Sequence, residues 1–158
     1  MNNALTTHLG SLSQSESDSD CCRGITVEIE SFGHKHGPVP DDADLLFDVR
    51  ETIPNPYRLP GMRWLTGFDE PVFNHVCEVG RTFIETLLAE VRELVEGLLR
   101  AKKRGKIAVG CKGGRQRSVA LVRLVVDYIN RTYHGQVQLL VHHRDMARDL
   151  ALEPGRSA

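Results

Sequence analysis

Nine residues, Gly110 to Ser118 (Gly-Cys-Lys-Gly-Gly-Arg-Gln-Arg-Ser), carry the side chains best suited to chemistry in this chain. Cys111 stands six positions before Arg117, with Ser118 next, so a thiol and a guanidinium are spaced to converge on one tetrahedral ion. A thiolate there could attack phosphorus, and a guanidinium grips two phosphate oxygens at once. Gly113 and Gly114 let the backbone take conformations that other residues resist, so several N–H groups of the turn can face one spot. The helical pattern that follows adds unsatisfied N–H donors and the positive end of its dipole, both of which favour an anion. Lys112, Arg115 and Arg117 supply three cations. With Gln116 and Ser118, the turn from Cys111 to Ser118 is the predicted phosphate-binding segment.

The elements that must position this turn follow from hydrophobic periodicity. Ile25, Val27 and Ile29 alternate with Thr26, Glu28 and Glu30, which predicts a strand that delivers His34, Lys35 and His36 to a loop. Ala43 to Val49 is the next apolar run, delivering Arg50 to a loop interrupted by three prolines between Glu51 and Pro60. From Pro71 to Arg104 the spacing is helical, with a break near Gly80, and the cations before Gly105 suit a helix C-terminus. The run Ile107 to Val109 passes into a helix over Ser118 to Tyr133, whose polar stripe of Arg123, Asp127, Asn130, Arg131 and His134 overrides its valines, and Gly135 stops it. Val137 to Val141 is the last strand, delivering His142, His143 and Arg144.

Strands that alternate with helices imply a single α/β domain with a mostly parallel sheet and flanking helices. In such sheets ligands bind beyond the carboxyl ends of strands, and here four such ends carry cations. The expectation is one basic anion pocket, with the turn at its centre and His34, Lys35, Arg50, His143 and Arg144 at its periphery.

Composition sets the bounds. At 158 residues, 41% hydrophobic and 26% charged, the chain is long enough for one domain with a real core. A net charge of −1 offers no overall attraction for nucleic acid, so any RNA contact would be a local patch. No apolar run approaches the roughly 20 residues of a membrane span, and no signal pattern opens the chain, which points to the cytoplasm and to no membrane partner. Four cysteines lack zinc spacing and make no disulfide framework, and paired histidines without acidic companions read as surface or anion-binding groups, so neither metal nor cofactor is expected. Residues 1–23, rich in Ser, Asp, Asn and Thr, read as a disordered tail, 24–147 as the domain and 148–158 as a C-terminal tail.

A set of motifs then stands out in order: Ser31-Phe32-Gly33-x-Lys35-x-Gly37, Phe47-Asp48-Val49-Arg50, Pro54-Asn55-Pro56, Leu65-Thr66-Gly67-x-Asp69-x-Pro71, Gly110-Cys111-x-Gly113-Gly114-x-x-Arg117-Ser118 and His143-Arg144-Asp145. Together they resemble the C-terminal domain of the RapZ (YvcJ) family over roughly residues 25 to 146. In full-length members this domain follows a P-loop nucleotide-binding domain. These 158 residues contain no G-x4-G-K-[ST], so the expectation is a stand-alone C-terminal domain that carries the nucleotide-binding family name without its motif. The resemblance implies an amino-sugar phosphate, glucosamine-6-phosphate, as ligand, a small regulatory RNA or protein partner, and self-association. It places the ligand on Cys111, Gly113, Gly114 and Arg117, with Asn55 and Tyr57 at the pocket's edge. Lys112 departs from the family pattern, adding a charge where Thr is usual.

Two function classes compete on these residues. A non-catalytic regulatory or adapter domain that binds a phosphate or phosphosugar needs only donors and cations around the anion. A cysteine-dependent phosphatase needs in addition a carboxylic acid to protonate the leaving oxygen, with Cys111 as nucleophile, Arg117 as oxyanion clamp and Asp69 as the candidate acid. An alternative role for Asp69 is to shape the turn or cap the helix ahead of Pro71. The long gap without an aspartate, from Asp69 to Asp127, favours binding over hydrolysis.

Overall fold

A computed structural model describes residues 24–152. The tail expected over 1–23 lies outside the described residues. Four strands, β1 (Ile25–Gly33), β2 (Leu45–Asp48), β3 (Gly105–Cys111) and β4 (Val137–His143), form one sheet in the order β2-β3-β1-β4, and every pairing is parallel. Helices α1 (Glu70–Val79) and α2 (Arg81–Ala101) connect β2 to β3, and α3 (Arg117–Thr132) connects β3 to β4. The predicted helical stretch breaks at Gly80, which ends α1 and caps the start of α2. Lys102, in the left-handed conformation at φ 52°, terminates α2 ahead of β3.

The core follows from the period-2 alternation of β1. Ile25, Val27 and Ile29 face the same side as Ile107 and Val109 of β3, and there they meet Val72 and Val76 of α1, Leu87, Val91 and Val95 of α2, and Leu121, Val125 and Ile129 of α3. Burial of a side chain of this size contributes about 1.5–3 kcal/mol, so this apolar layer is the main term holding the helices on the sheet.

The alternate residues of β1 include Glu28 and Glu30, and their side of the sheet is built differently. Lys106 of β3 lies 2.9 Å from Glu30, 3.0 Å from Asp42 and 3.6 Å from Glu28. Asp44 accepts the Lys106 N–H and returns its own N–H to the Lys106 carbonyl, both at 2.8 Å, so the connection from β1 to β2 is fastened to β3 by charge and backbone bonds.

One boundary differs from expectation. The stretch expected as a C-terminal tail from 148 begins inside a helix, α4 (Met146–Ala151), which packs back onto the loop after β1.

Candidate functional site

The turn between β3 and α3 is fastened to the end of β1. Gly33, the last residue of β1, pairs in register with Cys111, and a Cβ on Gly33 would lie 2.4 Å from the Gly113 carbonyl carbon. Gly114 has φ +73°, and a Cβ there would lie 2.6 Å from the Gly33 nitrogen, so backbone meets backbone at a distance only glycine permits. The carbonyls of Lys112 and Arg115 are taken up by the N–H groups of Lys35 (3.1 Å) and Gly67 (3.0 Å). Cys111, 2% exposed, places its Sγ 3.2 Å from the Gly114 N–H, which donates to it, and 3.2 Å from the Ser118 hydroxyl. Gly110, ahead of the cysteine, is fixed by the Phe32 ring, which a Cβ would meet at 2.3 Å.

A pocket of about 260 Å³ opens on this turn. Cys111, Lys112, Gly113, Arg115, Gln116 and Arg117 line it from the turn, and Lys35, Asn55, Tyr57 and Asp149 complete it. Tyr57 sits in a 3-10 turn (Pro56–Arg58) that starts at Asn55, whose Oδ1 accepts the Tyr57 N–H at 3.1 Å. The Arg115 guanidinium lies over the Tyr57 ring at 5.6 Å.

The two arginines of the turn are more deeply engaged than a solvated phosphate clamp would be. Arg117, 4% exposed, donates from Nη1 to the carbonyls of Ile53 (2.8 Å), Arg50 (3.1 Å) and Val49 (3.5 Å), so it also holds the proline-rich loop against α3. Arg115, 3% exposed, donates to the Arg63 carbonyl at 2.9 Å and approaches Asp149 with Nε at 3.5 Å. Gln116 similarly donates to the carbonyls of Met62 and Leu65. Sequence spacing could not reveal the carbonyls that these side chains bind, because those come from a segment some 50 to 70 residues away.

Asp149 is the site residue that sequence reasoning missed. Its carboxylate, on α4, lies 2.6 Å from Lys35 Nζ and 2.8 Å from His36 Nε2. Burial raises the carboxyl's proton affinity, but the hydrogen bonds from Lys35 and His36 and the nearby Arg115 outweigh it and hold the group below the usual carboxylate range. The available signal was the run Met146-Ala-Arg-Asp-Leu-Ala151, which is rich in good helix formers and puts Asp145 and Asp149 on one face.

The other expected residues separate into two groups. His34 and Arg50 line an adjoining pocket of about 490 Å³ that shares Lys35, Asn55, Lys112 and Arg117 with the first. There Arg50 pairs with Asp48 at 2.7 Å, and that hydrogen bond holds the Asp48 carboxyl below its usual range. Burial lowers the His34 pKa, with Arg50 and Arg144 acting in the same direction against Asp48. His143 and Arg144, expected at the periphery, are turned to structural contacts instead. His143 Nδ1 hydrogen-bonds the Ser31 hydroxyl at 2.7 Å and its ring meets Phe68, while Arg144 ties Asp145, Pro38 and Phe32. They serve β1 and its loop because β4 pairs with β1, as β3 does on the other side. Asp69 accepts from the Thr66 N–H and hydroxyl at 2.7 and 3.2 Å, shaping the turn before α1. Among the described residues no group of three His, Cys, Asp or Glu converges to hold a metal ion.

An open, all-parallel α/β domain with a polar pocket at the carboxyl edge of its sheet is the class these features define. The family described as RapZ C-terminal domain matches residues 25–147, and the chain belongs to that family. It is 43% identical over 127 residues to a nucleotide-binding protein of Staphylococcus epidermidis (strain ATCC 12228) and to one of Staphylococcus aureus (strain Newman). These matches cover 77% of this chain and 40% of each relative, so the chain corresponds to well under half of those proteins. No helix among the described residues is long and apolar enough to cross a membrane.

Proposed function

We propose that this domain binds a phosphorylated small molecule in the pocket on the β3–α3 turn and acts as a regulatory or adapter domain without turning the ligand over. The observation that carries this reading is the meeting of three separate segments on one pocket: the glycine turn with Lys112, Arg115 and Arg117, Lys35 from the end of β1, and Tyr57 from the proline-rich loop. An aromatic ring beside a cationic, glycine-built turn suits a phosphate attached to a ring-shaped body better than a bare ion. Family membership makes sugar phosphates, glucosamine-6-phosphate among them, the first candidates. The name of the staphylococcal relatives makes nucleotides the comparison set. Thermal unfolding with inorganic phosphate, sugar phosphates and nucleotides tests this, because a ligand at a hundredfold excess over its Kd adds about 2.7 kcal/mol. Absence of stabilisation by every phosphate compound would overturn the reading.

A cysteine-dependent phosphatase is the second reading, favoured by the Cys111 sulfur that accepts the Gly114 N–H at the head of the turn. Its difficulty is the proton donor. Asp69 is committed to Thr66, and Asp149, the acid that does line the pocket, is held ionised by Lys35 and His36. Assay with aryl phosphates should therefore show no turnover, while a clear rate abolished by Cys111→Ser would promote this reading.

A further inference from the structure

We propose that Asp149 is an internal rival of the ligand: its carboxylate occupies two cations of the pocket, Lys35 and Arg115, and a phosphate that takes them over loosens α4. The inference rests on the anion-binding reading above. Helix α4 has six residues, and an isolated helix in water needs about 12–15 to be even marginally stable, so something outside it must hold it. Apolar packing does not supply that hold, because Asp149 is the one buried residue of α4; Met146 and Leu150 are partly exposed, and Ala147, Arg148 and Ala151 are exposed.

The anchors are therefore polar: the Asp149 carboxylate and the Arg148 guanidinium on the His36 carbonyl at 2.8 Å hold the helix itself, and at its start the buried Asp145 accepts the Gly33 N–H at 2.8 Å. Asp149 Oδ1 is 2.6 Å from Lys35 Nζ and 2.8 Å from His36 Nε2, and Oδ2 is 3.5 Å from Arg115 Nε. It also sits on the turn itself. A Cβ added to Gly113 would lie 2.7 and 2.8 Å from its two oxygens, so the glycine and the carboxylate share one space. Lys35 and Arg115 thus face both an internal anion and the pocket that a phosphate would fill. A phosphate carries more charge and more acceptor oxygens than a carboxylate, so it can take over both cations; Asp149 then keeps His36 alone, which loosens the C-terminal turn of α4 while Asp145 still holds its start on the Gly33 N–H. Binding in the pocket would be converted into a change at the C-terminal end of the domain. The size of that change is limited by the difference in the ligand's affinity for the docked and loosened states.

Hydrogen–deuterium exchange of residues 146–151 in the 158-residue chain, with and without inorganic phosphate, tests this together with calorimetry. Phosphate should speed exchange in α4 while the turn becomes better protected. Asp149→Asn should exchange rapidly in α4 without phosphate and bind phosphate roughly tenfold more tightly, since one charge-assisted contact no longer has to be displaced. Phosphate that binds while α4 stays protected would overturn the rivalry and leave the anion site standing. Weaker binding by Asp149→Asn would also overturn it, making Asp149 a support of the ligand. If neither protein binds phosphate, the anion-site reading fails and takes this proposal with it. Should Asp149→Asn not fold, exchange in the unsubstituted chain decides alone.

Discussion

Arg117 shows how one side chain can belong to a pocket and to the scaffold at once. Its Nη1 group bonds three carbonyls between Val49 and Ile53 while the residue borders both pockets. Hydrogen bonds that involve a charged group contribute about 1.5–3 kcal/mol, and truncation leaves buried carbonyls without a donor. Arg117→Ala should therefore lower unfolding stability by about that amount in urea denaturation, before any ligand is added. Arg117→Lys should recover only part of it, because the lysine ammonium ends one atom short of the Nη1 nitrogen that makes all three contacts. Stability unchanged in Arg117→Ala would show that the carbonyl contacts are weak and that the residue serves the pocket alone. The position of Arg117 relative to Cys111 was legible in the sequence because both lie on one short turn. Its partners, like those of Asp149, were not, since nothing local records that residue 149 returns to residue 35.

Elements were more legible than contacts, because periodicity is a local property and tertiary pairing is not. The alternation in β1 and the helical spacing of α2 and α3 located three of the major elements, and Gly80 marked the junction between α1 and α2. Helix α4 was missed because its pattern is short and its one buried residue is charged, which inverts the hydrophobic rule. The join between β1 and the β3–α3 turn also depends on a feature that only close approach reveals. Gly114→Ala would need a left-handed residue, at roughly 1–2 kcal/mol, and would push a methyl against the Gly33 nitrogen. The expected outcome is a Tm drop larger than the backbone cost alone, with weakened phosphate binding. A neutral substitution would mean that the turn relaxes away from β1.

On the opposite side of the sheet, Lys106 joins Glu28, Glu30 and Asp42. Burial alone would lower its pKa, but hydrogen bonds with Glu30 and Asp42 outweigh it and raise the ammonium above the ordinary lysine range. Its contribution is complete below that range and is lost only as the pH climbs through the raised value. Lys106→Met strands the buried Glu30 and should cost about 3–5 kcal/mol at neutral pH, whereas Glu30→Leu combined with Lys106→Met should restore most of it. A double variant as unstable as the single one would show that the charges do more than neutralise each other.

At the scale of the whole molecule, acid should weaken the fold in two stages, because its perturbed groups are lowered from different starting values. Burial lowers His143, with the neighbouring His142 acting in the same direction, and burial likewise lowers His34. A histidine with a depressed folded pKa binds fewer protons folded than unfolded, so stability is complete above its unfolded value of about 6.5 and falls as the pH drops below it. Asp48 and Asp149 have depressed carboxyl values, Asp48 through the Arg50 hydrogen bond and Asp149 through Lys35 and His36 against burial. Their contribution is complete above about 3.9 and disappears as the pH falls through their lower folded values. Unfolding free energy measured against pH should thus hold level just above neutrality, decline as the pH falls below about 6.5, and decline again in the carboxylate range. In His34→Gln combined with His143→Gln the upper decline should flatten while the lower one remains. An upper decline of unchanged slope in that double variant would assign it to other groups. The lower, carboxylate range should also loosen α4, since protonation of Asp149 removes the charge that docks it on Lys35 and His36.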